Sequence, residues 1–137
     1  MPEKLWAVIV CDVVGSSRTR GLRSILAARL RLVTSAHLRE GRIRLPYAVT
    51  AGDEFQTFAS DLRQIPELVF DLRRRMRPLQ LRIGVGIGRI PGPLRGPVNQ
   101  LGGQAFEFAR MAISEAKEGV TFANQYLATT GLPQLNR

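Results

Sequence analysis

Residues 5–17 have the sequence LWAVIVCDVVGSS, in which an apolar run ends at an aspartate and a glycine-serine turn. Residues 5–11 are apolar at every position, which predicts a strand buried on both faces, as in the centre of a sheet. Asp12 ends this run, and the glycine and serines at 15–17 break its pattern. We therefore expect a central strand that brings one carboxylate to the edge of a sheet.

The first half of the chain then predicts a helix and a hairpin. Apolar residues recur at helical spacing between Leu22 and Val33, and Gly41 suits the end of that helix. Tyr47–Thr50 and Phe55–Ala59 predict two short strands, and the linking sequence AGDE is typical of a hairpin turn.

The second half predicts a helix, a strand and another helix. The second helix spans about 65–76, with Pro66 in its first turn and Pro78 beyond its end. Residues 79–90 predict a strand with three internal glycines, which indicate close approach of a neighbouring element or a ligand. After a loop at 91–101, a third helix is expected around 108–116, ended by Gly119. The sequence leaves open a final strand at 120–123.

The order of the first six elements is that of a ferredoxin-like βαββαβ core in an α+β fold, with an added C-terminal helix. Right-handed crossovers then place the first and third strands side by side and antiparallel. This topology predicts that Asp12 and Asp53 converge at one edge of the sheet. We expect a single domain over residues 1–123 and a C-terminal tail over 124–137.

Composition limits the classes of protein to consider. The 137 residues carry 20 Lys and Arg against 11 Asp and Glu, a net charge of +9, which suits polyanions such as nucleic acid or nucleotides. The alternative is that the arginines reflect a GC-rich coding bias rather than a ligand, since 18 of the 20 basic residues are arginine. The single cysteine excludes a disulfide framework and a Cys-rich zinc site. No apolar stretch is long enough for a membrane span, and the N-terminal apolar run is too short for a signal peptide, so we expect a soluble cytoplasmic protein.

Two carboxylates at one sheet edge repel each other unless positive charge separates them. Mg²⁺ or Mn²⁺ is the natural occupant, and two such ions would support displacement at phosphorus. Glu54 would point to the opposite face from Asp53 in a regular strand, and it becomes a ligand only if the hairpin rotates it. The alternative is that both aspartates simply form turns.

Charge and backbone groups near the first aspartate suit phosphate. Gly15, Ser16 and Ser17 precede the first helix, so their N–H groups and the helix dipole are expected to cradle phosphates. Arg18 would neutralise further phosphate charge. The only histidine, His37, is expected to be an exposed helix residue without a catalytic partner.

Four blocks of sequence carry a resemblance to a known family. They are CDVVGSS at 11–17, AGDEFQ at 51–56, LRIGVGIG at 81–88 and GQAFEFARMA at 103–112. In this order and spacing they resemble the SatD family over about residues 5–118. The first two blocks are more distantly similar to the metal-binding aspartate motifs of class III nucleotide cyclases, GGDEF diguanylate cyclases and the CRISPR polymerase palm.

The resemblance implies that Asp12 and Asp53 bind metals that activate a ribose hydroxyl against an α-phosphate. It adds the backbone carbonyl of Val13 to the metal ligands, while Glu54 joins them only if the hairpin rotates its side chain. It also places Arg110 where the cyclases have an arginine that contacts phosphate. Since these relatives build active sites across a dimer, it implies a homodimer.

Three functions follow as hypotheses. The first is a metal-dependent nucleotidyl cyclase or oligonucleotide synthetase that acts on a nucleoside triphosphate. The second is a non-catalytic regulatory domain that binds nucleic acid through an arginine-rich surface, or binds a signalling nucleotide. The third is a protein-interaction domain without a ligand.

Overall fold

The structure is a computed structural model that describes residues 4–59, 61–118 and 127–130. Within these residues the regular elements are β1 (Trp6–Val13), α1 (Leu22–Arg39), β2 (Ala48–Ala51), β3 (Glu54–Ala59), α2 (Ile65–Arg75), β4 (Leu81–Gly88), α3 (Gln104–Glu118) and β5 (Leu127–Thr130).

β1 lies at the centre of the sheet, whose described strands have the order β2-β3-β1-β4-β5. It pairs antiparallel with β3 on one side and with β4 on the other, while β5 runs parallel to β4. All eight residues of β1 are buried, as its apolar sequence predicts. The β2-β3-β1-β4 order is that of the ferredoxin-like core, so the predicted fold class is confirmed.

The two faces of β1 belong to two apolar cores. Alternate side chains from Ala7 to Val13 pack with the buried residues of α1 and α2. Alternate side chains from Trp6 to Val10 pack instead with α3. Asp12 is the next residue in this second series, so the alternation directs its carboxylate to the face that α3 covers.

Glycines in β4 allow α3 to lie directly on the sheet. A Cβ atom on Gly86 would collide with backbone atoms of Ala109 and Ala105 in α3. A Cβ on Gly84 would lie 2.9 Å from the Cα of Ile113. The predicted close approach is therefore made by a neighbouring element, namely α3.

The predicted element boundaries differ from the structure mainly near the C-terminus. α3 begins at Gln104, four residues before the expected start, and the strand considered at 120–123 lies outside the described residues. A fifth strand forms instead at Leu127–Thr130, inside the segment that we expected to be a tail. Its pairing partner is the edge of β4, which local sequence does not reveal. None of the described helices is long and apolar enough to cross a membrane.

Candidate functional site

The β2–β3 hairpin brings Asp53 to the end of β1. Cys11 pairs with Phe55 across the two central strands, which aligns the hairpin turn with the residues that follow. Oδ2 of Asp53 accepts a hydrogen bond from the backbone N–H of Val13 at 3.1 Å. Asp53 thus reaches the residue next to Asp12, which is the convergence that the topology predicts.

The carboxylate of Asp12 is buried and is held by two cations. Its side chain is only 7% exposed. Nε of Arg82, the residue opposite it on β4, donates to Oδ1 at 3.0 Å. Nζ of Lys117, in the last turn of α3, lies 3.2 Å from Oδ2. Each oxygen of this carboxylate therefore has its own positive partner.

Glu54 belongs to the same cluster. Its Oε2 lies 3.8 Å from Nζ of Lys117, and its Oε1 accepts a hydrogen bond from the hydroxyl of Thr50 at 3.2 Å. The ammonium of Lys117 thus stands between the carboxylates of Asp12 and Glu54. We call these three residues together with Arg82 the acidic-edge cluster.

The turn expected to hold phosphates is formed, but it is not the start of α1. Residues 16–18 make one 3-10 turn after Gly15, whose φ of +69° favours glycine. The carbonyl of Gly15 accepts from the backbone N–H of Arg18 at 3.0 Å. α1 begins later, at Leu22, with Gly21 at its N-cap. The expectation that the α1 dipole serves residues 15–17 is therefore wrong, since Gly21 separates them; their phosphate role stays a prediction.

No protein-family model matches this chain, and no curated protein matches it. Among solved structures, it is similar to a microbial GGDEF domain that was described in a novel mode of interaction with bis-(3,5)-cyclic di-GMP. That match has 13% identity and a TM-score of 0.52, and it covers 92% of this chain and 77% of the other. The chain has the fold of a GGDEF domain. The guanylyl cyclase Cya2 is also similar, with 14% identity, a TM-score of 0.49, and coverage of 82% and 70%.

At 13% identity, the match to the GGDEF domain shows the fold alone, so the chemistry has to follow from the residues of this chain. The acidic edge offers carboxylate oxygens, the donors that Mg²⁺ and Mn²⁺ prefer. The position between Asp12 and Glu54 already carries the ammonium of Lys117, however, and Arg82 holds the other oxygen of Asp12. Across the described residues, no group of three or more His, Cys, Asp or Glu side chains could hold a metal ion. As arranged, the cluster does not fit two metal ions.

Arg110 lies on α3, two helical turns before Lys117 and thus on the same side of this helix. Arg110 is exposed, and its contact with a ligand's phosphate stays a prediction. Lys117 itself was not predicted as a site residue. The sequence signal for it was weak: it is one of two lysines in a chain rich in arginine, seven residues after Arg110.

The prediction for His37 is wrong, because its imidazole is fully buried. Nε2 lies 2.8 Å from Oδ2 of Asp71, and Nδ1 lies 2.9 Å from the hydroxyl of Tyr47. Burial lowers the pKa of His37, against the opposite effect of Asp71. A neutral imidazole fits both contacts, with Nε2–H donating to Asp71 and Nδ1 accepting from Tyr47. These groups lie in the α1–α2 layer, away from the acidic edge.

Proposed function

We propose that this domain binds a nucleotide without catalysing phosphoryl transfer. The observation that carries the proposal is the ammonium of Lys117 at 3.2 Å from Asp12 and 3.8 Å from Glu54. Two-metal transfer depends on carboxylates whose oxygens are available to the ions. Here Arg82 and Lys117 already neutralise Asp12, so the chain itself supplies the charge that metals supply elsewhere.

The cations around this edge suit the phosphates of a nucleotide. The side chain of Lys117 is 44% exposed, so a ligand can approach it beside the cluster. Arg110 is exposed on the same side of α3, and Arg18 is exposed on the turn that follows β1. Guanidinium and ammonium groups bind phosphate oxygens through charge-assisted hydrogen bonds. The likeness of fold to a domain described with bis-(3,5)-cyclic di-GMP supports a signalling nucleotide as the ligand.

A second candidate is the metal-dependent enzyme that the sequence resemblance implies. It is favoured by the hydrogen bond that fixes Asp53 beside Val13, which gathers oxygen donors at one edge. Asp12, Asp53, Glu54 and the carbonyl of Val13 would then hold Mg²⁺ or Mn²⁺ once Lys117 has withdrawn. A bound divalent ion would supply positive charge to a triphosphate and lower the pKa of an attacking hydroxyl.

Titration of the protein with Mn²⁺ separates the two candidates. We expect weak binding to the unmodified chain and at least about tenfold tighter binding to Lys117→Met, because removal of the ammonium frees two carboxylates. Lys4→Met is the matched control: Lys4 is the other lysine of the chain, it lies 4.1 Å from the Trp6 ring centroid, and its loss should leave Mn²⁺ binding unchanged.

Turnover is measured on the same proteins with each labelled nucleoside triphosphate and Mn²⁺. Nucleotide binding without pyrophosphate release supports the proposal. Pyrophosphate release by the unmodified chain that disappears in Asp12→Asn would contradict it and establish the enzyme. The predicted homodimer is checked by light scattering with and without nucleotide.

A further inference from the structure

A surface cavity of about 640 Å³ lies between α1, the end of α2 and the start of β4. Its lining contains Arg29 of α1, Arg73 and Arg77 from the end of α2 and beyond it, and the segment 78–81. The cavity is near the end of β1, because Gln80 accepts a hydrogen bond from Val14 at 2.8 Å. It lies on the α1–α2 side of the sheet, whereas the acidic-edge cluster lies on the α3 side.

The arginines of this cavity are not neutralised by neighbouring carboxylates. Arg73 is half-buried, and its Nη1 donates to the backbone carbonyl of Leu81 at 3.0 Å. Among the described residues, neither Arg29 nor Arg77 forms an ion pair, and both are exposed. By contrast, Arg74 and Arg75 pair with Asp71 on the other side of α2. A concave surface lined by charges of one sign concentrates the field for an ion of opposite sign.

Helix electrostatics alone do not account for this arrangement. Arginines at the end of α2 are stabilised by the negative end of its dipole, which explains Arg73. Arg29 comes from the middle of α1, where no such effect exists, yet it lines the same cavity. The convergence of cations from two helices therefore indicates a ligand with several negative charges.

We propose that this arginine cavity binds the phosphates of a small polyphosphorylated ligand of the nucleoside triphosphate class. The guanidinium groups would bind phosphate oxygens in bidentate fashion. The side chains of Leu79 and Pro78 offer an apolar wall, and the exposed Gln80 offers an amide for polar recognition. The volume lies within the usual range for small-ligand sites, about 300–1,000 Å³. The cavity is thus a second anion site, independent of the one at the acidic edge.

Calorimetric titration with inorganic triphosphate and with ATP, both in excess EDTA, tests the cavity without divalent ions. We expect Arg29→Gln and Arg77→Gln each to weaken binding at least about tenfold, because each removes a charge-assisted contact. Arg31→Gln is the matched control, since Arg31 is exposed on α1 but does not line the cavity. Arg73 is left intact because its bond to Leu81 belongs to the fold.

Each result assigns the binding to one place. Loss of triphosphate binding in Arg29→Gln and Arg77→Gln, with binding retained in Lys117→Met and Arg31→Gln, supports the cavity. Loss in Lys117→Met alone would overturn it and leave only the acidic edge. Equal affinity in every variant, or no binding by the unmodified chain, would also overturn it. Tighter binding of duplex DNA than of triphosphate, with an affinity for DNA that Arg29→Gln does not change, would overturn the proposal as well.

Discussion

The surroundings of His37 differ from those that the sequence predicts, because its side chain is buried rather than exposed. Its buried imidazole joins α1 to Tyr47, which precedes β2, and to Asp71 of α2. The hydrogen bonds to Asp71 from His37, Arg75 and Arg74 outweigh the effect of burial and lower the pKa of its carboxyl. His37, Tyr47 and Asp71 therefore connect three segments of the chain through buried hydrogen bonds.

Removal of the Tyr47 hydroxyl tests the value of this cluster. Tyr47→Phe keeps the ring but leaves Nδ1 of His37 without its donor in a fully buried place. We expect the free energy of unfolding to fall by about 1–3 kcal/mol, the range for an unsatisfied buried polar group. Urea denaturation measures it, with Ser35→Ala, exposed on the same helix, as the control. A loss no larger than that of the control would mean that the hydroxyl contributes nothing.

Acid should destabilise the protein through the same imidazole. Because burial lowers the pKa of folded His37 below 6.5, the unfolded chain binds its proton first as the pH falls. The stability that the neutral imidazole contributes is present above pH 6.5 and is lost below it, by at most about 1.4 kcal/mol per pH unit. Asp71 acts in a lower window: its depressed pKa contributes stability above its usual value near 3.8, and that contribution is lost as the pH falls below this value.

Urea unfolding at pH 7.5 and pH 5.5 checks this expectation. His37 is the only histidine in the chain, so a change of stability over this interval reports on it alone among the side chains with an ordinary pKa there. His37→Gln should have the same stability at both pH values. An unmodified protein that is equally stable at both, or more stable at pH 5.5, would contradict the direction given.

At the residue scale, the sequence predicts some contacts between side chains and misses others. Asp12 and Asp53 could be paired in advance because strand topology alone brings them to one edge. The partners of His37 lie 10 and 34 residues away on other elements, and Lys117 reaches Asp12 from the end of α3. Contacts of that kind depend on how helices pack on the sheet, which no local pattern encodes.

At the scale of elements, the contact between β4 and α3 depends on the absence of side chains. We expect Gly86→Ala to lower the free energy of unfolding by about 1–3 kcal/mol or more, because the new Cβ meets backbone of α3, which cannot yield as a flexible side chain can. Gly102→Ala is the matched control, since no atom lies within 4 Å of a Cβ built there. Thermal or urea unfolding measures both. Equal stabilities would show that α3 can move away from the sheet at no cost.

The elements themselves could largely be predicted, and their ends could not. The apolar run of β1 and the helical spacing of α1 are strong local signals, and both elements form as expected. Residues 15–17 precede α1 as predicted, but they form a 3-10 turn of their own, and α1 begins only after Gly21, whose left-handed backbone occupies the N-cap. β5 escaped prediction because its stability comes from pairing with β4 rather than from its own short sequence.

Over the whole molecule, positive charge is in excess because 20 Lys and Arg residues face only 11 Asp and Glu residues. Asp12, Glu40, Asp61 and Asp71 each contact at least one arginine. In the part of the chain that the structure describes, Arg29, Arg73 and Arg77 form no ion pair, and all three line the cavity between α1 and α2. The sequence revealed this excess, whereas the grouping of three arginines in one cavity required the packed helices.

This excess predicts weak binding to duplex DNA with no preference for sequence. A protein of this charge gains affinity mainly by releasing counterions, so affinity should fall at least about tenfold between 50 and 200 mM salt. Fluorescence anisotropy with two unrelated duplexes measures both the salt slope and the lack of preference. Asp12→Asn should leave the affinity unchanged, because that carboxylate is buried beneath Lys117 and Arg82. A strong preference for one duplex, or affinity that persists at high salt, would require base contacts and would favour a dedicated nucleic-acid surface over the small-ligand cavity.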